Sequence, residues 1–155
     1  MGLKDALLRG IGRFFFENPG RKRSFDELAQ ELERSGAQIG NRLAGFSPQP
    51  KDHERLRHII GIERWGQRRL RVFLGEPFEM DGHHPYKPDE TLDWPALLDA
   101  FRETRAQTLA MIDPLAQPDV ADAAPVAHNE FGGLSARGWL KYLNGHAESE
   151  AKRIK

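Results

Sequence analysis

Apolar residues return every three or four positions along most of this chain, the spacing that places them on one face of an α-helix. Leu28, Leu32, Ile39 and Leu43 form the first long stripe. "SFDE" in front of it supplies Ser24 as a cap, with Glu27 three residues on to complete a capping box. The spacing predicts a helix over about residues 25 to 45, broken at "GFSPQP" by Gly45, Pro48 and Pro50. Leu56, Ile59, Ile60, Ile62, Leu70, Phe73 and Leu74 carry a second helix over about 52 to 75. Asp93 caps a third, with Pro95 in its first turn and Leu97, Leu98, Phe101, Leu109 and Ile112 as its buried stripe. Ser135 caps a fourth, which runs to the C-terminus. A shorter stripe of Leu3, Leu7, Ile11 and Phe14 or Phe15 predicts an N-terminal amphipathic helix, ended by "NPG" at 18 to 20 and packed on the core. A membrane-surface role for it is the minor alternative, because its polar face is short.

Two long connections interrupt the series. "GEPFEMDGHHPYKPDETLD" (75 to 93) and "DPLAQPDVADAAPVAHNEFGG" (113 to 133) hold prolines and glycines at intervals that argue against regular structure. A connection of the first length lets the third helix run parallel to the second. No alternating strand pattern, β-hairpin signal or internal repeat is visible. The predicted fold is therefore all-α, a four-helix bundle with a short extra N-terminal helix. The N-terminal extension is expected over residues 1 to 23 and the bundle over 24 to 155.

Composition narrows the function. A chain of 155 residues fits one core, and with 39% hydrophobic and 30% charged residues that core is thin. The 23 basic residues balance 23 acidic ones, so no overall field draws the molecule to nucleic acid or an anionic membrane. The basic runs "GRKRS" and "RWGQRRLR" read as solvated faces. No cysteine is present, which excludes disulfides, thiolate ligands and a cysteine nucleophile. Any metal must be held by His, Asp or Glu. Lys4, Asp5, Arg9 and Arg13 break up the N-terminus too much for a signal peptide, and no stretch approaches the roughly 20 apolar residues of a membrane span. A cytoplasmic protein with neither nucleic acid nor membrane as partner is the expectation.

The candidate chemistry lies at the end of the chain. Leu140, Leu143, Ala147, Glu150 and Ile154 share one helical phase, which turns the Glu150 carboxylate toward the bundle. His146 is one turn back on the same side, so the two side chains can converge on one ion. Of the other histidines, His53 lies at the mouth of the second helix, His83 and His84 in the crossover, and His128 before the fourth helix. Only His58 lies inside a long apolar helix, at a level compatible with His146 if the two helices run antiparallel. The bland reading is a hydrogen-bonded core histidine beside an ion pair on a wet helix end.

The stretches "HIIGIERWGQRRL" and "HNEFGGLSARGWLKYLNGHAESEAKRI" resemble the DinB/YfiT-like superfamily of small bacterial metal-binding four-helix bundles, over about residues 25 to 154. The resemblance implies an up-down-down-up course, a long crossover between the second and third helices, and homodimers. It also implies a divalent ion, zinc, nickel or iron, at positions corresponding to His58, His146 and Glu150. Glu150 departs from the family's usual histidine, and "SPQPKDHERLRH" lacks the Trp-Ser pattern common in relatives. The activity implied is thiol-dependent S-transfer or isomerisation with a low-molecular-weight thiol such as bacillithiol or mycothiol. A metal-dependent hydrolase is the near alternative, and a noncatalytic dimeric stress-response or interaction bundle the distant one. His128, Asn129 and Glu130 from one connection, and His83, His84 and Tyr86 from the other, are candidates for the pocket rim.

Overall fold

Ser24, Asp93 and Ser135 each turn a side-chain oxygen onto the backbone N–H three residues on, those of Glu27, Ala96 and Gly138. Such a contact satisfies one of the N–H groups that an α-helix leaves unpaired at its start. These caps begin three of the four long helices in the computed structural model, which describes residues 2–155. Met1, the first residue of the expected extension, lies outside the described residues. The long helices are α3 (Phe25–Ala44), α4 (Pro50–Phe73), α5 (Trp94–Ala110) and α8 (Ala136–Ala151). Helix α4 starts earlier than the spacing predicts. Pro50 opens its first turn, where a missing N–H costs nothing, and the Asp52 carboxylate accepts from the Gln49 N–H at 2.9 Å.

Three expectations for the connecting segments are overturned. "NPG" does not end the N-terminal helix: α1 (Leu3–Gly12) widens into a π-helical turn (Arg13–Glu17) and continues as α2 (Asn18–Arg21), with Pro19 in its first turn. The stripe expected to pack on the core is exposed, with Leu3 90% and Phe14 70% accessible. Gly12, Phe16 and Gly20 make the contact instead, because glycines let backbones touch: a Cβ on Gly20 would lie 2.7 Å from the Arg137 carbonyl oxygen. Finally, residues 113 to 133 are not irregular throughout. They contain α6 (Ile112–Leu115) in part, α7 (Pro118–Ala121) and most of an antiparallel hairpin of β1 (Val126–His128) and β2 (Gly132–Leu134). Strands of three residues are too short to show alternation. The hairpin's signature is Gly132, whose φ of +79° suits glycine.

The core is two apolar clusters with a polar layer between them. Leu28, Leu32, Trp65, Leu70, Trp139 and Leu143 anchor one cluster; Ile39, Leu43, Ile59, Phe101, Ala147 and Ile154 belong to the other. Between them every long helix contributes polar residues: Ser35 (α3), Glu63 (α4), Arg105 and Thr108 (α5) and Asn144 (α8). Arg105 forks onto both Glu63 carboxylate oxygens at 2.8 and 2.9 Å and reaches the Leu32 carbonyl and Ser35 Oγ, while Ser35 donates to Asn144 Oδ1. A bidentate pair of this kind is directional, so it fixes how the helices slide past one another. Further along α3 and α8, Arg42 donates to the Ala151 and Ile154 carbonyls. Gln67 of α4 meets Thr104 and Thr108 of α5. The protein is thus mostly helical with one very small sheet. Among the described residues no helix is long and apolar enough to cross a membrane.

Candidate functional site

Helix α4 presents His58 and helix α8 presents His146 to the same point, and their Nε2 atoms face each other at 3.2 Å. The ring centroids are 5.0 Å apart. Burial drives the His146 ring far below its ordinary value, to about 3, and the fields of His58, His83 and His128 add to the shift. His58 is lowered for the same first reason, burial, against the opposing field of the Glu150 carboxylate. Both imidazoles are therefore uncharged at neutral pH, the form in which histidine binds metals. Glu150 lies one turn beyond His146, partly buried, with Oε1 3.3 Å from Arg153 Nη1. Its carboxylate is close enough to act on His58 but is turned to the helix end.

The crossover supplies the next wall. His83 stands edge-on to His58 with centroids 4.9 Å apart, and its carbonyl packs over Gly61, where a Cβ would lie 3.4 Å from that oxygen and 2.8 Å from Lys87 Cγ. His84 stacks on His83 at 4.7 Å but is itself exposed. The Tyr86 hydroxyl donates to Asp81 Oδ2 at 2.6 Å. Neither His84 nor Tyr86 lines the cavity that opens beside the histidine pair, whereas His83 does.

That cavity measures about 650 Å³, within the usual size for a small-molecule site. His58, His83 and His146 line it together with Phe15, Phe16, Trp65, Phe131 and Tyr142, with His128 from the end of β1 and Asn129 and Glu130 from the turn after it. His128 is only 7% exposed. It stacks on Phe131 at 4.6 Å and meets Trp65, Trp139 and Tyr142 at 4.6 to 5.3 Å between centroids. Its Nδ1 accepts from the backbone N–H groups of Glu130 and Phe131 at 3.0 and 3.2 Å. Burial first, then the Arg69 charge, lowers its ring to about 4.

The rim is fastened by one cation. Arg69, 1% exposed, donates to the Ala127 carbonyl, the Asp81 carbonyl and carboxylate, and Asn129 Oδ1, at 3.0 to 3.2 Å. Its guanidinium also lies over the Trp65 and Phe78 rings. Sequence reasoning reads "RWGQRRLR" as a solvated face and misses this. The signal was available: Arg69 sits four residues after Trp65 and next to Leu70, on the apolar side of α4. Phe16 was missed as a wall residue because the π-helical turn rotates it inward out of the expected phase, onto Phe131 and Tyr142 at 5.2 Å each.

The donor set fits a divalent ion in part. Two nitrogens on one ion, with bonds of 2.0 to 2.1 Å at a near-tetrahedral angle, lie roughly 3.3 Å apart. The observed 3.2 Å between neutral rings matches that spacing. Among the described residues no three His, Asp or Glu side chains are gathered as a complete metal-holding group. Glu150 would have to leave Arg153 to complete one.

A family model described as the DinB superfamily matches residues 53–149, a span holding His58, His146 and the whole crossover. No curated protein and no solved structure matches the chain.

Proposed function

Because the chain belongs to the DinB superfamily, we propose that it is a divalent-metal-dependent enzyme acting on a small molecule, with His58 and His146 holding the ion. The observation that carries this reading is the facing Nε2 pair, 3.2 Å apart and uncharged, at the edge of a cavity of about 650 Å³. Glu150 is the proposed third ligand, since its carboxylate already acts on His58 from one turn beyond His146. Three protein ligands leave a position open for substrate. An ion bound there lowers the pKa of a coordinated thiol or water and so yields a nucleophile at neutral pH. The chain's own residues orient the ligand rings through helix packing, exclude water with the aromatic wall and close the rim through Arg69.

Thiol-dependent S-transfer is the reaction proposed first, because the resemblance to the family implies it; as the chain has no cysteine, the thiol in that reading comes from outside. The four long helices are proposed to follow an up-down-down-up course. Three pairs of contacts support it: Ser35 with Asn144 and Arg42 with Ala151 for α3 and α8 in parallel; His58 with His146 and Trp65 with Trp139 for α4 and α8 antiparallel; Arg64 with Thr104 and Gln67 with Thr108 for α4 and α5 in parallel. A homodimer is proposed from the exposed stripe of Leu3, Leu7 and Phe14 and is checked by sedimentation.

Elemental analysis of protein purified without chelator tests the metal, and turnover of a model electrophile with and without a small thiol tests the reaction. One ion per chain, lost in His146→Ala, is expected, with turnover that requires the thiol. Thiol-independent ester cleavage would make it a hydrolase. No bound ion in wild type would leave the noncatalytic reading in its place.

A further inference from the structure

His58 borders two hollows. Besides the large cavity, it lines a shallow, open depression of about 350 Å³ together with Lys51, Glu54 and Arg55. These side chains follow one another at steps of three and four along α4, so they share a face, and the depression runs from His58 toward the first turn of the helix. Lys51 stands about 10 Å from His58 along the axis, at 1.5 Å per residue. His58 and Arg55 are half-buried, and Lys51 and Glu54 are exposed, so solvent and solutes reach all four.

The charge in this depression is unbalanced. The carboxylates whose fields reach His58 are those of Glu150 and Glu54, and both are engaged elsewhere. Lys87 Nζ and Arg57 Nη1 donate to Glu54 at 2.5 and 2.6 Å, and Lys87 above all holds that carboxyl below the usual carboxylate range. Glu150 faces Arg153 at 3.3 Å. Arg55 donates to the Arg153 backbone carbonyl at 3.0 Å and pairs with no carboxylate among the described residues, and neither does Lys51. Lys51 also stands in the first turn of α4, where the positive end of the helix dipole opposes a cation. Asp52, the acid of that turn, is fully buried and caps the Gln49 N–H instead. Like charges four apart on a helix repel, so an anion held between Lys51 and Arg55 is favoured by both.

We propose that this depression binds the carboxylate of a small anionic thiol, with Lys51 and Arg55 as its counterions, while the second substrate of the S-transfer occupies the large cavity. The inference rests on the metal-dependent reading of His58 and His146 and gives the two substrates separate approaches to one histidine. The large cavity is a poor place for the anion. Among the described residues that line it, Glu130 alone carries a formal charge at neutral pH, a negative one, since the histidines there are uncharged. Its rings, Phe15, Phe16, Trp65, Phe131 and Tyr142, suit an uncharged apolar partner instead.

The experiment is a titration of cobalt(II)-loaded protein with 6-mercaptohexanoate and, in parallel, 6-mercaptohexanol, which has the same chain and thiol without the charge. The near-ultraviolet band of a thiolate on cobalt reads occupancy, independent of turnover. The carboxylate thiol should bind tighter by roughly five- to tenfold at low salt, the worth of two partly exposed ion pairs. Added salt should shrink that preference. Lys51→Gln, at an exposed position with no ion pair to lose, should at least halve it, and Lys51→Gln with Arg55→Gln should remove it. Arg55→Lys, which keeps the charge, should retain most of it. Lys22→Gln, the same loss of charge in the N-terminal segment, should leave it as in wild type. Equal affinity for the two thiols, or a preference that survives the Lys51→Gln and Arg55→Gln pair, overturns the anion site and leaves the metal reading standing. No cobalt uptake, or no thiolate band with either thiol, overturns the metal-dependent S-transfer reading and this inference with it.

Discussion

Gly66 of α4 lies directly beneath the side chain of Leu143 of α8: a Cβ on the glycine would come within 2.8 Å of one leucine methyl and closer to the other. The two helices that carry His58 and His146 are thus held at a separation that no larger residue at 66 allows. Gly66→Ala should destabilise the protein by about 1–3 kcal/mol through overpacking. It should also part the histidines. A denaturant midpoint gives the first effect; weaker metal binding, partly recovered when Leu143 is shortened to Ala in the same chain, gives the second.

Arg105 and Glu63 are nearly inaccessible, at 3% and 2%. Replacing Arg105 with Met leaves a carboxylate buried without its cation and should cost about 3–5 kcal/mol. The double substitution to Met at both positions should cost less than the single one, because no stranded charge remains. Urea unfolding of the three variants measures this, and a double substitution worse than the single would show that the layer acts chiefly through packing.

Stability should fall with acid in the metal-free protein. His128 titrates at about 4 and His146 at about 3 in the fold, against 6.5 when unfolded. Below about pH 6.5 the unfolded chain takes up protons that the folded chain refuses, so unfolding becomes easier as pH drops. The full stability is present above pH 6.5 and declines toward pH 4. At 1.36 kcal/mol per pH unit, His128 alone accounts for roughly 3 kcal/mol of the loss. Unfolding midpoints at pH 7.5, 6 and 5 check the direction, and His128→Phe should flatten the slope.

Arg153 competes for the proposed third ligand. If the Glu150 carboxylate joins the ion, releasing it from Arg153 should tighten binding, so Arg153→Ala should bind cobalt(II) several-fold better and Glu150→Gln about tenfold worse. His58→Ala and His146→Ala should lose far more. Titration followed by the visible cobalt spectrum separates these cases, and an unaltered Glu150→Gln would remove Glu150 from the ligand set.

Glu17 accepts from the Ser135 backbone N–H at 2.9 Å and from the Ser135 hydroxyl, which itself caps α8 at Gly138. Glu17→Ala should cost about 1–2 kcal/mol, in line with loss of a helix cap. The N-terminal segment should then be clipped faster by protease than in wild type. Unchanged proteolysis would mean that Phe16 and Gly20 suffice to dock it.

The legible parts of the fold are the ones decided locally. Ser24, Asp93 and Ser135 cap the helices they introduce because a cap needs only its own side chain and the next turn. The meeting of His58 and His146 follows from helical phase and level, both of which a sequence records. What escapes is set by contacts between distant segments. The π-helical turn is favoured where Phe16 reaches Phe131 and Tyr142, and the three-residue strands exist because His128 and Gly132 close a turn against the core. The pairing of Glu63 with Arg105 exists only once both helices are in place, and the one local sign of it is that Glu63 and Gln67 lie four apart on one face.

Arg69 ties together the crossover at Asp81 and the hairpin at Ala127 and Asn129, segments separated by more than the length of α5. Opening either one breaks charge-assisted bonds belonging to both, so the two should exchange their amide hydrogens at a common rate, as one cooperative unit. A ligand entering the cavity then meets a crossover and a hairpin that move together, not a crossover that swings by itself.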